Sequence, residues 1–171
     1  MPQRGRVVQF SGGTLVARPQ PLTVSDEHAD SDQKNADHAD PAHAGGLHHV
    51  ELCVADLDAA VDFWGWLLTE LDYETKNEWT NGRSWVRGPT YVVVKVAGDS
   101  DSPFQRESPG LDHLAFHAAS REQVDELTAG VRRRDDASLL YEDRHPYAGG
   151  YYALYCESPD GIVVEVVGPD A

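Results

Sequence analysis

Apolar and polar residues alternate along residues 47–54, which is the pattern of a half-buried β-strand. A strand presents alternate side chains to opposite faces, so one face of this segment is apolar. The other face carries His49, Glu51 and Cys53. The pattern therefore predicts a strand that buries one side and presents chemically active groups on the other.

The next residues change from a period of two to helical spacing. Asp56 is the expected N-cap of a helix whose apolar positions continue to Leu71. Asn81 and Gly82 then mark a hairpin turn among three short strand-like runs. Those runs are residues 73–79, 84–87 and 91–96. The first half of the pattern predicts the order β-α-β-β-β.

The same order begins again after a polar loop. A strand is predicted at residues 111–118, and Ser120 is the expected cap of a helix that ends near Arg133. Further strands are predicted at residues 138–142, 151–156 and 162–167. The residues repeat too: LHHV at 47–50 matches LDHL at 111–114, and PTYVVVKV at 89–96 matches PDGIVVEV at 159–166.

This repeat predicts an α+β domain made of two βαβββ modules, residues 47–98 and 110–168. A period this long, present only twice, is not that of a solenoid. Residues 25–46 are polar and rich in Asp, His and Ala, so they bury too little apolar surface to fold alone. We expect residues 1–46 to be a disordered or loosely attached segment and residues 47–171 to be the folded domain.

Composition excludes several partners. The net charge of −15 would repel the phosphates of a nucleic acid. The sequence has no apolar run near the roughly 20 residues of a membrane span and no apolar leader. The two cysteines lack CxxC spacing, so free thiols in a reducing compartment are expected. These features predict a soluble, cytoplasmic protein that neither binds nucleic acid nor spans a membrane.

Two histidines and a glutamate occupy distinctive places in the two modules. His49 and His113 match one another in the first strands, and Glu165 lies between valines in the last strand. An ionised, unpaired glutamate in such an apolar run is costly, and a bound divalent metal would remove that cost. Two imidazoles and one carboxylate leave coordination positions open, which is typical of a site that binds a ligand or carries out chemistry.

Each of these residues also has a simpler explanation. His113 alone fits a core histidine with satisfied hydrogen bonds, and Glu165 alone fits a cross-strand ion pair with an arginine. His48 precedes the alternation and fits a surface residue. The prediction of a metal site therefore depends on the joint placement of the three candidate ligands.

Other side chains are candidates for proton transfer near this site. Glu51 and His117 alternate onto the faces of the ligand histidines, where a general base or a plain wall residue is possible. His145 lies in a connection rich in functional groups and is a candidate proton carrier near neutral pH. Tyr155 or Tyr152 is a candidate hydrogen-bond donor to a metal-bound oxygen.

The runs LHHVELCVADLDAAVDFW, LDHLAFHA and SPDGIVVEVV resemble the vicinal oxygen chelate superfamily. That group includes glyoxalase I, extradiol dioxygenases, fosfomycin-resistance thiol transferases, methylmalonyl-CoA epimerase and bleomycin-binding proteins. The resemblance covers about residues 46–168. It implies two βαβββ modules that form a cup-shaped, partly open mixed β-sheet barrel with helices outside. It also implies one divalent metal ion (Fe, Mn, Zn or Ni) and a homodimer.

The resemblance carries over to His49, His113 and Glu165 as metal ligands. Lys95 matches the position of a fourth ligand, and a charged lysine does not ligate. This departure disfavours glyoxalase I and the epimerase, which present a carboxylate there. It favours the dioxygenases and the fosfomycin transferases, which use two histidines and one glutamate.

Two functions of different classes fit this resemblance. The first is a metal-dependent enzyme acting on a small oxygen-chelating organic substrate, with dioxygenase-like, lyase or transferase chemistry. The second is a metal-free binding protein of the bleomycin-resistance type, for which the acidic surface suits a cationic drug. The three candidate ligands favour the enzyme.

Overall fold

A computed structural model describes residues 43–98, 109–142 and 152–170. The chain divides into two units, Met1–Ala42 and His43–Ala171, and all described residues belong to the second. The predicted disordered segment, residues 1–46, therefore lies almost wholly outside the described residues.

Each module has the predicted order of elements. The first module contains β1 (His49–Val54), α1 (Leu57–Glu70), β2 (Glu74–Trp79), β3 (Gly82–Arg87) and β4 (Thr90–Val96). The second contains β5 (His113–His117), α2 (Arg121–Arg132), β6 (Ser138–Leu140), β7 (Ala153–Glu157) and β8 (Val163–Val167). The prediction of two βαβββ modules is confirmed.

Each module folds into a four-stranded mixed sheet. The strand orders are β1-β4-β3-β2 and β5-β8-β7-β6. The first and last strands of each module pair in parallel, and the remaining pairs are antiparallel. Over the described residues the two sheets remain open, in agreement with the predicted partly open arrangement. The histidine-bearing strands β1 and β5 are both edge strands.

Both helices begin at the predicted caps. The Ala59 backbone N–H donates to Asp56 Oδ1 at 3.1 Å, and the Gln123 N–H donates to Ser120 Oγ at 3.2 Å. Such caps satisfy N–H groups that have no partner inside the helix. No helix in the described ranges is long and apolar enough to cross a membrane.

The two modules contact each other through their helices. The Gln123 side chain on α2 donates to the carbonyl oxygen of Glu70, the last residue of α1, at 2.6 Å. Arg134, just beyond α2, forms an ion pair with Asp62 on α1. One apolar core includes side chains from both helices and from the helix-facing side of both sheets. The opposite faces of the sheets are therefore where the candidate ligands should lie.

Candidate metal centre

Burial along β1 and β5 follows the predicted alternation. Leu52 and Val54 are buried at 4% and 1% exposure, while Glu51 and Cys53, which alternate with them, are exposed. In β5, Leu114 and Phe116 pack against the same core. The histidines at the ends of β5 alternate with these apolar residues and fall on the other face.

His113 and Glu165 meet on that face of the second sheet. Glu165 Oε2 lies 3.2 Å from His113 Nε2. On β5 the residue directly opposite Glu165 is Ala115. A methyl group there leaves the space beside the carboxylate open to the imidazole two positions away. The pair is the contact that the sequence repeat predicts for two of the three candidate ligands.

The Glu165 carboxylate is nearly inaccessible to water. Its residue is 4% exposed, and Oε1 is buried without a hydrogen-bond partner in the described part of the chain. Its ion-pair partner among the described residues is His113, so the alternative of a pair with an arginine is not seen. A buried carboxylate oxygen without a partner carries a desolvation cost that a cation would remove.

The spacing of the pair also suits a metal. Two donors that each lie about 2.1 Å from one ion are separated by roughly 3.0–3.4 Å. The 3.2 Å between Glu165 Oε2 and His113 Nε2 falls in that range. The residues present therefore fit a divalent metal ion at this point.

His49 stands apart from this pair within one chain. Its ring stacks on Tyr91 with centroids 4.7 Å apart and planes 4° from parallel. Lys76 Nζ lies 3.7 Å from the centroid of the same Tyr91 ring. In residues 43–98, 109–142 and 152–170, no three His, Cys, Asp or Glu side chains gather closely enough to hold a metal.

In the first module, the position that corresponds to Glu165 by strand register does not hold a carboxylate. In the second module, Glu165 lies two positions beyond the residue opposite His113. The same offset from His49 leads to Val93, which is buried. Lys95 matches Glu165 in the sequence repeat but lies two positions farther along β4. Lys95 and Glu165 are therefore equivalent in the sequence repeat, but they are not equivalent in their pairing with the histidine-bearing strand.

Glu51 has a charged partner on its own sheet. It forms an ion pair with Lys95, and their side chains are 41% and 39% exposed. The hydrogen bond with Glu51 raises the pKa of Lys95. Glu51 is a residue of β1 in the first sheet, and its ion-pair partner lies on β4 of the same sheet, whereas His113 and Glu165 lie on the second sheet.

Of the other candidates for catalysis, Tyr155 lies beside the pair. It is opposite Glu165 in the register of β7 and β8, and it is 7% exposed. The centroids of its ring and the His113 ring are 6.0 Å apart in an edge-to-face contact. His117 is exposed at the end of β5, on the same face as His113. His145 lies outside the described residues.

Tyr152 contacts the helix side instead. Its hydroxyl donates to Asp125 on α2, and this hydrogen bond raises the pKa of Tyr152. Three positions separate Tyr152 from Tyr155, so alternation sends the two side chains to opposite faces. Of the two tyrosines considered from sequence, only Tyr155 is on the face of the candidate site.

An apolar cluster lies next to the His113–Glu165 pair on the second sheet. It consists of Ala153, Tyr155 and Val163, with Leu140 and Val167 packed against it. Tyr141 extends the aromatic surface, since its ring lies edge-to-face with Tyr155 at 5.7 Å. The second sheet therefore presents the His113–Glu165 pair next to a wall suited to the apolar part of a small molecule.

Sequence reasoning missed the partners of the two histidines. His113 Nδ1 lies 2.7 Å from Asp112 Oδ2, and His49 Nδ1 lies 2.9 Å from His48 Nδ1. Each partner directly precedes its histidine, at matching positions of the repeat. Their equivalent positions in the repeat could have indicated that both residues contact the histidines. His48 was instead interpreted as a surface residue.

The chain is similar to a known protein family and to a curated protein. The family model of the Glyoxalase/Bleomycin resistance protein/Dioxygenase superfamily matches residues 46–166. The chain is 45% identical over 127 residues to "Uncharacterized protein YqjT" of Bacillus subtilis (strain 168), covering 72% of this chain and 98% of that protein. The family model leaves out residues 1–45.

Solved structures share the fold. A putative glyoxalase from Bacillus halodurans is 49% identical with a TM-score of 0.72, and the match covers 76% of this chain and 100% of that one. The fosfomycin resistance protein FosX from Listeria monocytogenes is 18% identical with a TM-score of 0.54, covering 74% and 92%. The second likeness concerns the fold alone. This chain belongs to the Glyoxalase/Bleomycin resistance protein/Dioxygenase superfamily.

Proposed function

We propose that the protein is a divalent-metal-dependent enzyme acting on a small organic substrate that chelates the metal through oxygen atoms. One observation carries the proposal. Glu165 is 4% exposed and its Oε1 has no partner within residues 43–98, 109–142 and 152–170, while its Oε2 lies 3.2 Å from a histidine nitrogen. A carboxylate in this state is best explained as half of a pair of metal ligands.

His49 is the proposed third ligand, contributed by a second copy of the chain. Within one chain His49 stacks on Tyr91, away from the pair. Its strand β1 and the strand β5 of His113 are both sheet edges, which a second chain can cover. A two-fold dimer that places β1 of one chain beside β5 of the other would form two equivalent sites. The proposed assembly is therefore a homodimer with shared sites.

The protein residues have separate roles in this proposal. His113 and Glu165 would hold the ion, and Tyr155, whose ring contacts the His113 ring edge-to-face, would orient a substrate oxygen through its hydroxyl. His117, Glu51 of a second copy and His145 remain candidates for moving a proton. The apolar cluster around Tyr155 would bind the carbon skeleton of the substrate and exclude water.

The ion, which would be Fe, Mn, Zn or Ni, would supply Lewis-acid polarisation of the substrate oxygens when bound. Two histidines and one carboxylate leave open positions for the substrate, as dioxygenase-like, lyase or transferase chemistry requires. Both cysteines are free thiols, which supports the proposed cytoplasmic location.

Metal binding by variants of the candidate ligands tests the proposal. We expect wild-type protein purified without chelator to hold about one metal per chain, measured by elemental analysis. His113→Ala and Glu165→Gln should lose the metal, because each removes one member of the ligand pair. His43→Ala is the matched control: this histidine is exposed and precedes β1, so it should retain full occupancy.

The folding of the variants is checked by thermal unfolding of metal-free protein. Glu165→Gln should unfold at or above the wild-type temperature, since it replaces a buried carboxylate, whose Oε1 has no partner among the described residues, with a neutral amide. Wild-type protein that binds none of the four metals would refute the proposal. Tight binding of a cationic aromatic drug by that metal-free protein is the result expected of the bleomycin-resistance type.

A further inference from the structure

The side chain before each candidate ligand histidine contacts that histidine at the same ring nitrogen. Asp112 Oδ2 lies 2.7 Å from His113 Nδ1, and His48 Nδ1 lies 2.9 Å from His49 Nδ1. The two pairs occupy equivalent positions in the sequence repeat. Because this contact recurs in both modules with different residue types, we infer that it has the same physical role in each.

The Asp112 carboxylate determines which nitrogen of His113 carries the proton. An ionised carboxylate only accepts, so His113 Nδ1–H must donate to Asp112. In a neutral imidazole the other nitrogen, Nε2, then holds a lone pair. That nitrogen is the one that faces Glu165 Oε2 at 3.2 Å.

In the neutral Nδ1–H form of His113, this geometry suits a bound cation. A lone pair on His113 Nε2 and a carboxylate oxygen of Glu165 would face each other across 3.2 Å. Two electron-rich atoms at that distance repel unless a positive charge lies between or beside them. A metal ion bound by both atoms satisfies this requirement without a change of side-chain position.

We propose that Asp112 and His48 are positioning residues that accept a hydrogen bond from Nδ1–H of His113 and His49 and so reserve each Nε2 for a metal ion. For His48 this requires that its own proton lies on Nε2, because its Nδ1 is the accepting atom. This inference rests on the proposed metal-binding function and adds two residues to it. A hydrogen bond from a ligand imidazole to a carboxylate also raises the basicity of the ligating nitrogen. A neutral imidazole lacks that charge, so Asp112 should contribute more than His48.

Exposure limits what these contacts do for folding. The Asp112 and His113 side chains are 73% and 36% exposed, and exposed ion pairs contribute little to stability. Their effect should therefore appear in the tautomer and in metal affinity, while thermal unfolding stays unchanged. This separates positioning from a general structural role.

Nitrogen NMR of the metal-free, full-length protein tests the tautomers directly. At about pH 8, above the usual imidazole range, we expect His113 and His49 to be protonated at Nδ1 and unprotonated at Nε2. Asp112→Ala should release His113 to a mixture of tautomers, and Asp112→Asn should largely restore the wild-type state, because its amide oxygen still accepts. Asp135→Ala, an exposed aspartate between α2 and β6, is the matched control and should change neither histidine.

Zn²⁺ titration of the same proteins completes the test. Asp112→Ala should weaken Zn²⁺ binding by about 10–100-fold, and His48→Ala should weaken it less. A wild-type His113 that carries its proton on Nε2, or on both nitrogens, would overturn the positioning proposal. Equal Zn²⁺ affinity with and without Asp112 would overturn it while leaving the metal site intact. Wild-type protein that binds no Zn²⁺, Mn²⁺, Fe²⁺ or Ni²⁺ would overturn both proposals.

Discussion

Cys53 and Cys156 are residues of one type in opposite environments. Cys53 is exposed on β1, whereas Cys156 is buried on β7, where desolvation raises its pKa to about 12. The thiolate is the reactive form, so burial should make Cys156 inert. We expect one thiol per chain to react rapidly with a disulfide reagent in the folded protein at about pH 8.

The variants assign that fast reaction to one residue. Cys53→Ser should abolish it, Cys156→Ser should retain it, and Cys156 should react only after denaturant is added. Rapid modification of two thiols in the folded wild type, followed by absorbance, would show that the environment of Cys156 is not as described.

The sequence alone predicted the positions of some candidate ligands better than others. Alternation along β1 and the repeat of β5 placed His49 and His113 on the faces opposite the core, and the contact of His113 with Glu165 agrees with that placement. The role of Lys95 was harder to predict. Matching residues in a repeat does not fix strand register, and β4 lies two positions away from the pairing that the repeat suggests.

Two helical glycines allow a matched test of packing between elements. A Cβ added to Gly65 on α1 would lie 3.5 Å from the Trp85 ring, an ordinary contact. A Cβ added to Gly130 on α2 would lie 2.4 Å from the ring of Trp66 on α1, which is a clash. Alanine gains roughly 1 kcal/mol over glycine in a helix interior, and forced packing costs about 1–3 kcal/mol.

The two substitutions should therefore have opposite signs. In urea unfolding, we expect Gly65→Ala to stabilise the protein by up to about 1 kcal/mol. Gly130→Ala, whose packing cost is partly offset by the same helix gain, should destabilise it by up to about 2 kcal/mol. If Gly130→Ala were as stabilising as Gly65→Ala, the close approach of α2 to Trp66 would be wrong.

Elements were predicted better than their ends. The caps at Asp56 and Ser120 were predictable because a short polar side chain preceded each apolar period. The strand predicted at residues 138–142 ends early, at Leu140. Tyr141 adopts a φ of 59°, a left-handed conformation that interrupts a strand. A tyrosine rarely adopts this conformation, so the sequence did not predict it.

At the scale of the whole molecule, duplication was the most predictable feature. A two-fold repeat of apolar spacing and of short motifs was enough to predict two βαβββ modules. It did not predict what covers the two faces opposite the core. The same residues lie on those faces whether the modules complete one site within a chain or two sites between chains, so the pattern does not distinguish them. The separation of His49 from the His113–Glu165 pair favours sites shared between chains.

Mixing two inactive variants tests this claim most directly. In a dimer with shared sites, a His49→Ala chain and a His113→Ala chain together contain one intact set of ligands. Neither variant alone should bind Zn²⁺ tightly. Random pairing of equal amounts should recover about one quarter of the wild-type sites, because half of the dimers are mixed and each has one intact site of two. Recovery is measured by Zn²⁺ titration of chains unfolded, mixed and refolded together.

A second mixture provides the control. His113→Ala with Glu165→Gln should recover nothing, since both residues belong to the same half of each site. Recovery of about one quarter in the first mixture and none in the second is the predicted result. No recovery in the first mixture, from chains that refold and dimerise, would contradict a metal centre built from His49 of one chain and the His113–Glu165 pair of another.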